Sequence, residues 1–197
     1  MTIEQAYGPI IEAIYAEKED DALALVAAGA DPSETEILTV SGKPYVSSSA
    51  LQLSIYRGYD RLSEALMSAG ADVNFFCGSA KNSVLMAAVE KGNIKIARLL
   101  LEKGADPNHA NCNGYTALMN ATHKNDADMI ALLFQFKCKT DARLNMPIDS
   151  KNHNMTALEM AQAGSHDSAT DAIAAGIAYR AVKKKLAVSK PKRIFFK

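Results

Sequence analysis

Four copies of one short phrase, spaced at close to 33 residues, constrain this chain more than any other feature. Gly29-Ala30-Asp31-Pro32-Ser33, Gly70-Ala71-Asp72-Val73-Asn74 and Gly104-Ala105-Asp106-Pro107-Asn108 are clear copies, and Lys137-Cys138-Lys139 holds the same place in degraded form. A second marker accompanies them: Ala50-Leu51, Val84-Leu85, Ala117-Leu118 and Ala157-Leu158, whose leucines step by 34, 33 and 40 residues. Self-similarity at this period marks a stack of small units, none of which buries its apolar face alone. Such a stack presents a long surface and rarely encloses a catalytic pocket.

Within a unit the pattern reads helix, tight turn, helix, loop. In the third, Ser83 caps a helix through Leu85, Ala87, Ala88 and Val89; Gly92-Asn93 turns the chain; Ile94, Ile96, Ala97, Leu99, Leu100 and Leu101 make a second helix apolar on its packing side, and Gly104 ends it. Leu85 and Leu99, in this central unit, are expected to be buried. Gly58, Gly92 and Asn125 fall at the turns between paired helices, where a positive φ is needed. Ala50, Ala87, Ala88 and Ala121 let neighbouring helices approach closely.

Ser49-Ala50-Leu51-Gln52-Leu53-Ser54, Ser83-Val84-Leu85-Met86-Ala87-Ala88, Thr116-Ala117-Leu118-Met119-Asn120-Ala121 and Met155-Thr156-Ala157-Leu158-Glu159-Met160-Ala161 resemble the T-P-L-H-x-A core of the ankyrin repeat. Each G-A-D-x-N copy sits where that family closes its repeat. The resemblance covers roughly residues 1 to 175, with five repeats, two of them atypical. It implies an all-α solenoid of about five stacked helix-turn-helix repeats with loop or hairpin tips, and no sheet beyond short hairpin contacts at those tips. The array is expected over 1–182, with repeats at about 3–35, 44–77, 78–110, 111–143 and 151–182, followed by a basic tail at 183–197.

The terminal repeats read as caps. Alignment backwards from Asp31 puts Ile10 and Ala13 at the Leu and Ala positions, with Glu12, Glu17, Lys18, Glu19 and Asp20 outward. Asp167 to about Lys185 reads as a long helix with Ala172, Ile173, Ile177, Ala178 and Val182 on one face. Two insertions lengthen the period, by 8 residues between Asp31 and Ser49 and by 7 within Thr140 to Asp149. Both a binding-side elaboration and neutral drift in loop length account for them.

Charge is unevenly placed. The whole chain balances 22 Lys and Arg against 22 Asp and Glu, yet eight of those cations and no acid lie from Arg180 onward. The acidic body argues against nucleic acid lying along it, because phosphate contacts need clustered Lys and Arg. Three scattered cysteines fit a reducing compartment better than a disulfide framework. The start, Met1-Thr2-Ile3-Glu4-Gln5, lacks a basic n-region and an uninterrupted apolar stretch, and no run approaches the ~18 apolar residues of a membrane span. A cytoplasmic location is expected, with delivery into a host cell left open.

No G-x-x-x-x-G-K-[ST], G-x-G-x-x-G, G-x-S-x-G or H-E-x-x-H occurs. His109 and Cys112 make one metal-like pair without a second, whereas zinc sites take four ligands, so no metal is expected. His123, His153 and His166 are scattered singly. No cofactor, catalytic residue or enzymatic activity is expected.

What remains is surface. The resemblance implies that a partner protein is gripped by the loop tips before each T-P-L-H element and by the exposed ends of the first helices. The tips are Tyr45 and Val46; Phe75, Phe76, Ser79 and Asn82; His109, Cys112, Asn113 and Tyr115; and Asn152, His153 and Met155. The helix ends are Tyr56 and Arg57, Glu90 and Lys91, and His123 and Lys124. Tyr, Phe, His and Arg are frequent in this row, and aromatics and Arg anchor interfaces. Phe75-Phe76 either meets a partner or tucks back beneath its own loop. The tail through Lys183-Lys184-Lys185 to Lys197 reads as a solvated extension, as a docking element for an acidic partner or the acidic body, or as a nuclear or anionic-lipid signal. Two functions follow: a monomeric protein-binding module that inhibits or neutralises one partner, or a nucleic-acid-associated or nuclear accessory protein working through its tail.

Overall fold

The structure, a computed structural model, describes residues 3–40, 43–145 and 154–188. In chain order the elements are β1 (Ile3–Ala6), α1 (Pro9–Tyr15), α2 (Glu19–Ala27), β2 (Thr35–Val40), β3 (Lys43–Ser49), α3 (Ala50–Arg57), α4 (Asp60–Ser68), β4 (Phe76–Cys77), β5 (Asn82–Ser83), α5 (Val84–Lys91), α6 (Ile94–Glu102), α7 (Ala117–His123), α8 (Ala127–Gln135), α9 (Ala157–Ala163) and α10 (Asp167–Val188). The helices form five pairs. First helices pack in one layer (α1, α3, α5, α7, α9) and second helices in another (α2, α4, α6, α8, α10), each touching its counterpart in the next repeat. This is an all-α solenoid, with small sheets at one edge.

Local chemistry sets the helix starts. A hydroxyl precedes each first helix from the second repeat onward: Ser49 Oγ accepts from Gln52 N at 3.1 Å, Ser83 Oγ from Met86 N at 3.3 Å and Thr116 Oγ1 from Met119 N at 3.3 Å. Thr156 and Glu159 close a reciprocal capping box. Repeat 1 has only Gly8 at that position, and Glu34 substitutes from 24 residues away, its Oε2 accepting from Ile10 N (3.0 Å) and Ile11 N (3.2 Å). The turns behave as read: φ is +76° at Gly58, +68° at Gly92 and +54° at Asn125.

The G-A-D phrase closes the first three repeats, and the asparagine that ends its second and third copies joins those repeats to the next. Asp31, Asp72 and Asp106 each accept the backbone N–H two residues on, at 2.8 Å. Asn74 then bridges repeats, donating to Gly104 O (3.1 Å) and accepting from Asp106 N (2.8 Å), and Asn108 accepts from Lys139 N (2.6 Å). One buried core runs through the stack from Ile10 to Ile173 and includes Leu51, Leu85, Ala87, Ala88 and Leu118.

Three expectations are corrected. The first insertion does not stay a loop: β2 and β3 pair antiparallel from Thr35↔Ser49 to Val40↔Lys43, and β1 joins β2 from Ile3↔Val40 to Ala6↔Ile37, giving a three-stranded sheet. Thr, Ile, Val and Tyr in this stretch favour a pleated, half-buried surface. Leu99 is half-buried, while its neighbours Leu100 and Ile96 carry the burial. On α10 the packed positions are Ala169, Ala172, Ile173 and Arg180, whereas Ile177 is 40% and Val182 56% exposed. Nine residues at about 100° each carry Val182 to the side opposite Ile173.

Candidate partner-binding surface

Equivalent positions meet across repeats at the helix ends. Arg57 Nη1 reaches Glu17 Oε1 at 3.4 Å, and Tyr56 OH donates to Glu90 Oε2 at 3.1 Å. Lys124 Nζ donates to Glu90 O, and the His123 and His166 rings stand edge-on with centroids 6.4 Å apart. Tyr56, Arg57, Glu90, His123 and Lys124 thus form one row crossing consecutive repeats. Lys91 is exposed beside Glu90.

The tips make a second row, held by backbone bonds. Gly78 N donates to Val46 O (3.1 Å), Cys112 N to Ala80 O (3.0 Å) and Asn145 N to Asn113 O (2.7 Å), one bond at each junction from the sheet to the fifth repeat. Asn111 organises the centre. Its Oδ1 accepts from Asn113 N (2.9 Å) and Tyr115 N (3.0 Å), and its Nδ2 donates to Asn82 Oδ1 at 2.8 Å. Sequence reasoning missed Asn111; its place as the first residue of the Asn111-Cys112-Asn113-Gly114 turn run was the available signal.

The two aromatics of Phe75-Phe76 divide their labour. Phe75 is half-buried, packs on the core and borders Leu51 and Ala71. Phe76 is 49% exposed and stacks on His109 of the next tip, with ring centroids 5.2 Å apart and planes 21° from parallel. His109 is fixed from behind by a 2.7 Å bond between Nε2 and Lys81 O. Beneath this pair opens a groove of about 230 Å³, with Val73, Asn74, Ser83, Leu85 and Asp106 in its walls. Tyr115 is also half-buried, and burial raises its phenol above the ordinary value. Tyr56 and Tyr115 therefore contribute to packing as well as to surface.

The sheet prolongs the tip row toward the N-terminal repeat. Ile37 and Val46 face each other across β2 and β3, and are 38% and 37% exposed. Tyr45 pairs with Leu38 in the same ladder, but its side chain lies outside the described residues, as do Asn152 and His153 entirely. At the base of the second insertion, Leu144 N donates to Met155 O and Asn154 N to Leu144 O, both at 3.1 Å.

The His109 ring bonds Lys81 O, and the Cys112 thiol lies 3.6 Å from Ser79 O. Among the described residues no three His, Cys, Asp or Glu side chains come together to hold a metal ion, and no helix is long and apolar enough to cross a membrane.

The paired helices, capped first helices and hairpin tips define a helical-repeat solenoid. A family profile for ankyrin repeats matches residues 85–134. An ankyrin repeat-containing protein of Treponema pallidum (strain Nichols) is 41% identical over 83 residues, covering 42% of this chain and 28% of that protein. The ankyrin repeat and KH domain-containing protein mask-1 of Caenorhabditis elegans is 33% identical over 86 residues, 44% of this chain and 3% of that protein. The E3 ubiquitin-protein ligase XBAT33 of Arabidopsis thaliana is 44% identical over 57 residues, 29% of this chain and 11% of that protein. The chain thus spans under a third of the length of these relatives. With the fold and the repeated motifs, these matches show that the chain carries ankyrin repeats, which are protein-protein interaction modules.

Proposed function

We propose that this chain is a non-enzymatic module whose activity is binding itself: it grips one partner protein along the tip row and the helix-end row, and inhibits or neutralises it. The observation that carries the reading is Phe76, an aromatic ring half in water on a tip and held there by His109 of the next repeat. Exposed apolar surface that runs on from residue to residue, rather than standing singly, marks interaction sites. A preformed stack also presents its ring without losing rotamer freedom on binding. The continuation of apolar exposure through Val46 and Ile37 extends the same edge over several repeats.

The protein acts as a monomer in a reducing cytosol, its own or a host's, in keeping with free Cys112 and Cys138. Affinity capture by the intact chain beside a Phe76→Ala, His109→Ala double variant tests the proposal. A partner retained by the parent chain and lost to the variant, with folding unchanged, is the expected result. A partner retained equally by both would remove the tip row from the interface.

A further inference from the structure

The last repeat carries a second surface, chemically unlike the tips. α8 ends before α10 does, and the overhanging half of α10 forms with that end an open cleft of about 790 Å³. Its walls are Phe134 and Lys137 from one side and Tyr179, Arg180, Lys183 and Lys184 from the other. Arg180 is committed to the fold. Its guanidinium lies 4.4 Å from the Phe134 ring centroid and donates to Cys138 O (2.5 Å) and Phe134 O (3.1 Å), capping the carbonyl end of α8. The three lysines have no ion-pair partner among the described residues. Tyr179, 66% exposed, lies between them, with Lys183 Nζ 5.8 Å from its ring.

Lys137 stands in a place the other repeats give to glycine. Gly29, Gly70 and Gly104 close their repeats with φ of +88°, +101° and +93°, and Lys137 occupies the equivalent position at +62°. A lysine in that left-handed conformation is strained by about 1–2 kcal/mol where glycine is not. A residue held in a strained backbone conformation beside a cleft is a pointer to function rather than to folding.

We propose that this cleft docks a short acidic polypeptide segment of a partner protein, with carboxylates on Lys137, Lys183 and Lys184 and an apolar or aromatic side chain against Tyr179 and Phe134. Charge complementarity selects the occupant, because the cleft is lined by four cations and no acid. The extent of the basic zone selects peptide over nucleic acid. Asp171 and Asp167 precede Arg180 on the same helix, the nearer about 14 Å away at 1.5 Å per residue, and Asp128 lies in the first turn of α8. A phosphate backbone longer than the cleft would run onto those acids, whereas a few carboxylates need go no further.

The test uses the full chain and fluorescence anisotropy with a short labelled Glu/Asp-rich peptide bearing one central Phe. Single-stranded oligothymidylate, phosphatidylserine vesicles and a second copy of the chain serve as competing occupants. Lys137→Gly is the decisive variant, since it removes the charge while relieving the backbone. Its thermal midpoint should equal or exceed that of the parent, while peptide affinity falls about tenfold. Lys183→Glu should weaken the peptide at least as much, and Lys103→Glu, at the equivalent edge of the third repeat, by less than about twofold. Unchanged affinity in Lys137→Gly, tighter binding of oligonucleotide or vesicle than of peptide, or self-association in place of peptide binding would each overturn the proposal.

Discussion

Leu85→Ala tests the stacking logic most sharply. Leu85 is 1% exposed in α5, between α3 and α7, so both neighbouring repeats hold the space around it. Losing the buried branch removes about 2 kcal/mol of transfer free energy, and the cavity left between fixed helices adds to it. A total of about 3 kcal/mol follows, within the usual range for buried leucines. Leu99, half-buried on α6, forfeits less area and leaves a hollow open to water, so Leu99→Ala should cost about 1 kcal/mol. For a chain of this size these values lower the melting midpoint by about 6–12 °C and about 2–4 °C. Urea titration followed by far-ultraviolet circular dichroism measures both, with Lys18→Ala, on the exposed cap, changing stability by less than ~0.5 kcal/mol. Equal losses at Leu85 and Leu99, or a larger loss at Leu99, would refute the two-sided burial assigned to the first helix.

Phe75→Ala should destabilise by about 2 kcal/mol in the same titration, while Phe76→Ala costs under about 1 kcal/mol, since only the first packs on the core. Gly114→Ala should cost about 1–3 kcal/mol: φ there is +74°, and an added Cβ would stand 2.6 Å from Arg143 O and 2.9 Å from Asn145 N. The Tyr15 phenol is pushed up to about 12 by burial and by its 2.6 Å bond to Glu36 Oε1. Its stabilisation is complete below the ordinary value of 10.0 and is lost as pH rises through about 12, so Tyr15→Phe should flatten the stability curve over that interval, read by thermal melts at a series of alkaline pH values.

The repeat period made most of the fold legible, because a periodic core repeats its own signal. Ile10, Leu51, Leu85 and Leu118 are all buried where alignment placed them, and Leu158 is half-buried on α9, the last of the first helices among the described residues. Long-range substitutions escaped detection. Nothing local in Glu34 reveals that it caps α1, and Asn74 was seen as a motif residue without its bridge to Gly104 and Asp106. The insertion's strands were obscured by the helical pattern on either side, and β1 gains its partner only once β2 exists. At the candidate surface, sequence placed Phe75 and Phe76 together, but which of two adjacent rings faces the core depends on the backbone direction at the tip. The basic residues beyond Arg180 were visible as charge. Their meeting with Phe134 and Lys137 depends on α8 stopping short of α10.

On the proposed reading, affinity resides at the tip row while stability resides in the stack. This division is tested most directly by calorimetric titration of a captured partner protein against the parent chain and Phe76→Ala, with the melting midpoint of each measured in the same buffer. Phe76→Ala should lose about 2 kcal/mol or more in binding, roughly thirtyfold in affinity, with nearly the same midpoint. Intact affinity, or a midpoint lowered as far as in Leu85→Ala, would contradict it.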